Sequence, residues 1–302
     1  MPDENITSPE SVEEQPVKKS EGVRKKPRFK VTPAQIVLNA VTIILLVLTL
    51  FPFYVMLVNS FKTPTQFLVD PLGFPKEWVT SYFAVAWAYV KNYFVNTLII
   101  AAAEVVLAVI VNAAAAYGFS RFRFKGRDAL FMCILAIMMI PGILTLIPQY
   151  ALVFNMGLSG SLFGVILPQI ASPFTIFLLK NFLQGLPKEV FEAAEIDGAS
   201  GIVKFFVFAV PLSKPILFTV GLTTLMGCWN DLIWPRLILM GQEDLYTISV
   251  GIMELTNMYG NESFGMGVPL AAYCIVSLPL LIVFFFTSKQ FIKGLSAGAI
   301  KM

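Results

Sequence analysis

Long uncharged stretches set the pattern of this chain. The first runs from Val31 to Phe61, and the second runs from Phe94 to Phe119 with Glu104 as its single charged residue. A third stretch, from Ala129 to Leu179, also lacks charge. A helix that crosses a bilayer needs about 20 mainly apolar residues, so the third stretch is too long for one crossing. We expect it to divide at residues 155–160, where Gly and Ser favour a turn.

The same pattern predicts an all-α transmembrane protein with six spans. Helices are expected because an unpaired backbone polar group in lipid costs several kcal/mol, and a helix pairs these groups internally. Two prolines, Pro141 and Pro148, should kink the third span. A short amphipathic helix is expected around residues 247–257, between the last two spans. The spans are predicted at about 34–60, 94–119, 128–152, 161–183, 207–235 and 267–288.

Positive charge is distributed unevenly over the segments between these spans. Six spans put both termini on one side, and Lys and Arg accumulate on the cytoplasmic side of membrane proteins. The N-terminal tail, the loop after the second span and the insert after the fourth span hold many basic residues. The predicted outer loops hold four, which are Lys62, Lys76, Lys91 and Arg236. We therefore predict that both termini are cytoplasmic.

Composition supports a membrane protein and narrows its chemistry. Of the 302 residues, 57% are hydrophobic and 14% are charged, against about 25% charged in soluble domains. The chain has no His, and its three cysteines are far apart in apolar segments, so we predict no metal site, no cofactor and no catalytic residue. The formal charge of +3 gives no reason to expect a nucleic-acid partner. The polar residues 1–33 are expected to form a disordered cytoplasmic tail rather than a signal peptide.

A polar insert between the fourth and fifth spans carries the clearest functional signal. Pro187 and Glu189 favour the start of a helix, and Gly198 can adopt the left-handed conformation that ends it. Ser200 can cap a second short helix over 201–207. The side chains expected to meet another surface are small, apolar or acidic: Ala193, Ala194 and Ala199, then Phe191 and Ile196, then Glu192, Glu195 and Asp197.

Two interpretations of this insert follow from its residues. One is an ordinary amphipathic helix that lies on the inner leaflet, and the other is a loop that docks onto a protein outside the bilayer. The inner leaflet is anionic and attracts Lys and Arg, not three closely spaced carboxylates. The acidic residues therefore favour docking.

The order of residues in the insert resembles the coupling loop of type I ABC importer permeases. The matching positions are Glu192, Ala193, Ala194, Asp197, Gly198, Ala199 and Pro211. Other stretches resemble the MalG-like subgroup of carbohydrate permeases, namely Tyr117–Arg127, Trp229–Asp231 and Gly294–Lys301. The resemblance covers nearly the whole chain after the tail. It implies a six-helix type I permease domain with a cytoplasmic coupling helix, over residues 34–302 with a core at about 92–288.

The function implied by this resemblance is transport. The chain would be the permease subunit of an ATP-driven importer in a bacterial-type cell (inner) membrane, carrying a sugar or oligosaccharide delivered by a binding protein. No Gly-x-x-x-x-Gly-Lys-Ser/Thr phosphate loop is present, so ATP hydrolysis belongs to another subunit. The implied partners are a second, homologous permease, two ATPase subunits, an extracytoplasmic solute-binding protein and membrane lipid. The seven matched residues would couple the permease to the ATPase.

Polar residues inside the predicted spans indicate either internal pairing or a solute pathway. An unpaired charge at the bilayer centre costs about 2.5–3.5 kcal/mol, which singles out Glu104. Asn230 and Asp231 are further pathway candidates, since sugar hydroxyls favour hydrogen-bonding side chains and aromatic faces. The alternatives are an ABC permease for a phosphate ester or peptide, an ion-coupled secondary transporter that uses Glu104 and Asp231, and a membrane scaffold that recruits a cytoplasmic protein.

Overall fold

Helices form every regular element in the part of the chain that the structure describes. The computed structural model describes residues 32–260 and 266–299, and it describes their side chains except at 260 and 289–299. Nearly all of the predicted tail, and the last residues of the Gly294–Lys301 match, lie outside the described residues. The first helices are α1 (Pro33–Asn59), α2 (Pro64–Val69), α3 (Ser81–Arg121), α4 (Arg127–Met138) and α5 (Gly142–Asn155).

The second half continues with shorter helices and one long one. A 3₁₀ turn, Leu167–Gln169, extends α6, and a π-helix, Lys204–Ala209, lies between α9 and α10. A further 3₁₀ turn spans Glu243–Leu245. The α-helices are α6 (Leu162–Ile166), α7 (Pro173–Gln184), α8 (Lys188–Ile196), α9 (Gly201–Val203), α10 (Val210–Leu212), α11 (Lys214–Asn230), α12 (Ile233–Ile238), α13 (Ile248–Gly260) and α14 (Gly267–Ala299).

Six crossings can be assigned to these helices by length and composition. Helices α1, α3 and α14 are each long and apolar enough to span a bilayer. Three bent pairs also qualify when each pair counts as one span: α4 with α5 at 106°, α6 with α7 at 42°, and the α9–α10 segment with α11 at 79°. The total is then six, as the hydrophobic pattern predicts.

Proline marks each of the three breaks. Pro141 immediately precedes α5, Pro173 begins α7 and Pro215 lies in the first turn of α11. Proline has no backbone N–H to continue a helix and disfavours helical geometry in the residue before it. The break at Pro141 agrees with the kink expected in the third span, whereas Pro148 lies inside α5 and the helix continues past it.

Several predicted spans differ from the observed helices. The fourth, placed at 161–183 as one helix, consists of α6 and α7 with a 42° bend, and α14 continues past the predicted end at 288 to Ala299. The second span was placed at 94–119, but α3 begins at Ser81 because no Gly or Pro interrupts residues 81–117 and the aromatic stretch of the predicted outer loop continues the helix. The fifth span was placed at 207–235 as one helix. It is instead interrupted at Ser213, where the 79° bend lies, and α11 ends at Asn230. The turn expected at 155–160 and the helix near 247–257 are both present.

The chain divides into two units, Met1–Leu50 and Phe51–Met302. In the first unit, all described side chains are exposed. In the second unit, α3 passes through three buried apolar clusters: one with α11, α13 and α14, one with α7, α8 and the π-helix, and one with α5, α6 and α12. This long helix therefore connects the two ends of the second unit.

Large apolar side chains also cover much of the outer surface. Met139 is 85% exposed, Phe285 is 78% exposed and Ile147 is 76% exposed. Soluble proteins rarely expose contiguous apolar patches of this kind, whereas a lipid environment accommodates them. The distribution of exposed residues is that of a membrane protein.

Candidate functional site

The insert predicted to dock folds as a helix, a glycine turn and a capped second helix. Helix α8 follows Pro187 and carries Glu189 in its first turn. Gly198 has a φ of 78°, a left-handed value that glycine adopts without steric cost. The Ala199 amide then donates to the Ala194 carbonyl at 2.9 Å, which closes the end of the helix. The local geometry predicted from the sequence is confirmed.

The second short helix begins at the cap that the sequence predicts. The Ser200 hydroxyl oxygen accepts a hydrogen bond from the Val203 amide, and Ser200 has the extended backbone of an N-cap. Helix α9 is only three residues long, and the wider π-helix turn follows it directly. The turn at Gly198 therefore joins α8 directly to α9.

One side of α8 is buried in its own chain and the other is exposed. Phe191 is 7% exposed and Ala194 is 4% exposed, three residues apart on one face. Phe191 packs in the cluster that includes Phe205, so the expectation that it fills a partner's pocket is wrong. Ile196, in contrast, is 87% exposed. The other candidate residues with exposed side chains or backbone are Glu192, Ala193, Asp197, Gly198 and Pro211, and Ala199 is half-buried.

Arg121, at the last residue of α3, joins three elements around this loop. Its Nη2 donates to the Leu183 carbonyl at 2.7 Å and to the Leu186 carbonyl at 3.3 Å. Its guanidinium carbon lies 3.9 Å from the centre of the Phe191 ring. The residue therefore connects the end of α3 to the end of α7 and to the buried face of α8. In the sequence, Arg121 contributes to the positive-charge pattern and to the Tyr117–Arg127 resemblance, but its linking role could not be predicted because it depends on long-range contacts.

An ion pair ties the exposed face of α8 to the π-helix. The Lys204 Nζ lies 2.9 Å from Glu195 Oε2. The ammonium and its hydrogen bond hold the pKa of the Glu195 carboxyl below its ordinary value. Glu195 was expected to pair with a basic residue of a partner, but it already has a cation in its own chain. Glu189, Glu192 and Asp197 are the carboxylates on this loop that make no ion pair among the described residues.

The three pathway candidates lie on other elements than this loop: Glu104 near the middle of α3, and Asn230 and Asp231 at the end of α11. Glu104 is buried on α3, 4% exposed, and hydrogen-bonds with the Cys228 thiol of α11. Asp231 Oδ1 accepts a hydrogen bond from the Trp234 amide at 3.3 Å and so holds the start of α12. Both carboxyl groups have internal partners, which favours the structural interpretation of Glu104.

Asn230 is arranged differently from these two acids. Its side chain is exposed, and its Nδ2 donates to the Met226 carbonyl at 2.7 Å. It lines a cavity of about 360 Å³ together with residues of α13 and α14. Of the three candidates, Asn230 is therefore the one that faces open space.

The sequence also matches a known protein family over most of this architecture. The profile described as "Binding-protein-dependent transport system inner membrane component" matches residues 104–296. The chain belongs to this family. It is a permease, a multi-pass membrane component of an ABC transport system, and the family is one of transporters rather than enzymes.

Curated relatives resemble the permease over most of their length. It is 32% identical over 283 residues to the probable ABC transporter permease YurM of Bacillus subtilis, covering 92% of this chain and 93% of the relative. It is 31% identical over 286 residues to the arabinooligosaccharides transport permease AraQ of the same organism, covering 92% and 99%. It is 32% identical over 255 residues to the melibiose/raffinose/stachyose import permease MelC, also of Bacillus subtilis, covering 83% and 91%.

A solved structure shows that the permease shares the fold of a type I importer. The similar chain belongs to a bacterial ABC transporter involved in the import of the acidic polysaccharide alginate. The TM-score is 0.73 with 20% identity, over 86% of this permease and 98% of that chain. At this identity the likeness concerns the fold, which is all-α and transmembrane as the sequence predicts.

A basic cavity lies beside α8 in the permease. Its volume is about 640 Å³, and its walls come from the ends of α3 and α7, from α8 and from the π-helix. Five cationic side chains line it with two carboxylates: Arg121, Arg123, Arg127, Lys188, Lys204, Glu192 and Glu195. Two of the cations are paired, Lys204 with Glu195 and Arg127 with Asp128. The cavity gives the loop polar surroundings on the side where α3 ends.

Proposed function

We propose that this permease forms half of the translocation pathway of an ATP-driven importer for a sugar or oligosaccharide. The single observation that carries the coupling part is the geometry of α8, which is anchored by Phe191 and presents Ile196 and Asp197 outward before the turn at Gly198. Support for the substrate class comes from relatives named for arabinooligosaccharides, for melibiose, raffinose and stachyose, and for diacetylchitobiose.

The proposed complex contains a second, homologous permease, two ATPase subunits and an extracytoplasmic binding protein. Both termini lie in the cytoplasm in this proposal, because the basic residues concentrate on the side of α8 and of the loop after α3. Residues 1–33 form a cytoplasmic tail, and residues 34–302 form the permease domain with its core at about 92–288. Glu192, Ala193, Ala194, Asp197, Gly198, Ala199 and Pro211 form the coupling segment, with Ala194 supporting it from the buried face.

The coupling step follows from how α8 is attached. A force applied to the exposed face of α8 reaches α3 through Phe191 and the Arg121 guanidinium stacked on it. The two backbone carbonyls that Arg121 binds carry the same force to the end of α7. ATP-driven closure of the partner subunits would thereby move α3 and α7 together and change access to the pathway, as alternating access requires.

The experiment that tests this proposal compares two glycine variants in the reconstituted complex. Gly198→Asp adds a carboxylate to the docking turn and forces a left-handed backbone on a residue with a Cβ. Gly157→Asp is the matched control, since Gly157 also has a positive φ of 70° and open space around its Cβ position, but lies in the turn after α5. We expect ATP-dependent uptake to fall at least tenfold in the first variant and to survive in the second.

The outcome separates the proposal from its alternatives. The panel of solutes is arabinooligosaccharide, raffinose and diacetylchitobiose, with a phosphate ester and a peptide as competitors. Equal uptake by both variants would remove α8 as the coupling element. Uptake that needs no ATP would favour an ion-coupled transporter. Uptake of only the phosphate ester or the peptide would show that the proposed substrate class, a sugar, is wrong.

A further inference from the structure

The sequence prediction singles out Asn230 as a pathway candidate, and the structure adds the cavity around it with four further polar lining residues. This cavity lies where the end of α11 meets α13 and α14, and its volume of about 360 Å³ falls within the range of small-molecule sites. Its polar lining consists of Trp229, Asn230, Ser249, Tyr273 and Ser277, and the remaining lining residues are apolar. No charged side chain lines it among the residues that the structure describes.

The polar groups of this cavity are held in place and still have capacity for a ligand. The Ser249 hydroxyl donates to the Trp229 carbonyl at 2.7 Å, and the Ser277 hydroxyl donates to the Cys274 carbonyl at 2.9 Å. Each hydroxyl oxygen keeps lone pairs that can accept a hydrogen bond. The Asn230 amide nitrogen donates to the Met226 carbonyl, which fixes the side chain and leaves its Oδ1 as an acceptor.

Trp229 adds a second, independent observation. Its side chain is 3% exposed, and its indole Nε1 is buried without a hydrogen-bond partner among the described residues. Buried donors in folded proteins are nearly always paired, and an unpaired one is destabilising. Trp229 is also one of the residues that line the cavity, so an acceptor that reached Nε1 from a bound molecule would remove this cost. Tyr273, 42% exposed, gives the wall another aromatic face with a hydroxyl.

We infer that this cavity is a contact site for a neutral, polyhydroxylated solute on the permease itself, with Trp229, Asn230, Ser249, Tyr273 and Ser277 as its recognition residues. Aromatic faces suit the C–H faces of a sugar ring, and amide and hydroxyl groups suit its hydroxyls, whereas a phosphate ester would require a cation that the lining lacks. The inference rests on the proposed sugar import and adds where the permease contacts the sugar. It also places Glu104 and Asp231 outside the contact, because each has an internal partner.

Transport kinetics of the reconstituted complex test this site. The probe is the sugar, among raffinose, arabinooligosaccharide and diacetylchitobiose, that the wild type takes up. Ser249→Ala and Tyr273→Phe each remove one hydroxyl and should raise the apparent KM for uptake of this sugar about three- to tenfold. Thr256→Ala is the matched control. Thr256 also carries a hydroxyl on α13, but this hydroxyl donates to the Ile252 carbonyl and the residue does not line the cavity.

Cysteine protection provides a readout that does not depend on turnover. In a Cys133→Ser background, Tyr273→Cys should react with a maleimide, and the same sugar should slow the reaction at least threefold. Met258→Cys on α13, 59% exposed and outside the cavity, should react equally with and without sugar. Unchanged KM values together with unprotected Tyr273→Cys would overturn the site while the importer proposal stands. If the wild type takes up none of the sugars, the importer proposal and the site both fail.

Discussion

Arg121 shows how one side chain can link the permease's core to its docking loop. A guanidinium offers five N–H donors in a rigid plane and stacks on aromatic rings. Arg121 uses both properties, since it donates to two backbone carbonyls and lies over the ring of Phe191. An ammonium would keep the charge but could not reproduce this planar geometry. In the proposed coupling step, Arg121 would therefore transmit motion between α8, α3 and α7.

We predict that Arg121→Lys and Arg121→Gln uncouple transport. Uptake per ATP hydrolysed should fall about tenfold or more in Arg121→Gln and less in Arg121→Lys. Gln loses the charge and the group that stacks on Phe191, whereas Lys keeps the charge and an N–H donor but loses the planar stacking group. The measurement is the ratio of uptake to ATPase activity in proteoliposomes. Arg123→Gln is the control, as Arg123 is exposed and makes no ion pair among the described residues. Equal ratios in all four proteins would contradict a linking role for Arg121.

At the scale of elements, the docking loop is held by contacts on both of its faces. The buried face of α8 belongs to the apolar cluster around α3, α7 and the π-helix. The exposed face is tied to the π-helix by the ion pair of Glu195 and Lys204. A loop fixed on both sides can transmit a displacement without first deforming. Exposed ion pairs are weak individually, so the apolar face supplies most of the attachment.

The ion pair gives the loop a defined pH dependence. The pKa of Glu195 is lowered in the folded state, so the stabilisation is present above the ordinary carboxyl pKa and is lost as pH falls through the lowered value. We predict that Glu195→Gln lowers the melting temperature slightly at pH 7 and not at pH 3, as measured by thermal unfolding in detergent. Glu192→Gln is the control at pH 7, where it should leave the melting temperature unchanged, because Glu192 makes no ion pair among the described residues. A Glu195→Gln effect that persists at pH 3 would show that the charge is not its cause.

At the scale of the whole molecule, the hydrophobic pattern was sufficient to predict the number and order of the candidate spans. The turn at Gly198 and the cap at Ser200 were also predictable, because both depend on neighbouring residues. The early start of α3 and the bend at Ser213 were missed although local signals exist for both: no Gly or Pro interrupts residues 81–117, and Pro211 and Pro215 lie on either side of Ser213. Long-range contacts were the least predictable: Phe191 faces inward because a cluster from four other elements receives it.

The bent helix pairs leave one property of the whole molecule to measure, which is whether each pair crosses the membrane. Between Met156 and Asp197 the chain contains a single such pair, α6 with α7, bent by 42°. Basic residues concentrate on the side of Asp197, which favours a complete crossing. We predict that Met156→Cys reacts with a membrane-impermeant maleimide only in right-side-out vesicles, and Asp197→Cys only in inverted ones, in a Cys133→Ser background. Both positions are exposed, so accessibility within the protein does not limit the reaction. Labelling of both positions from the same side would show that the α6–α7 pair is a re-entrant loop. Either α8 would then lie on the outer side, beyond the reach of a cytoplasmic ATPase, or the turn after α5 would lie on the cytoplasmic side.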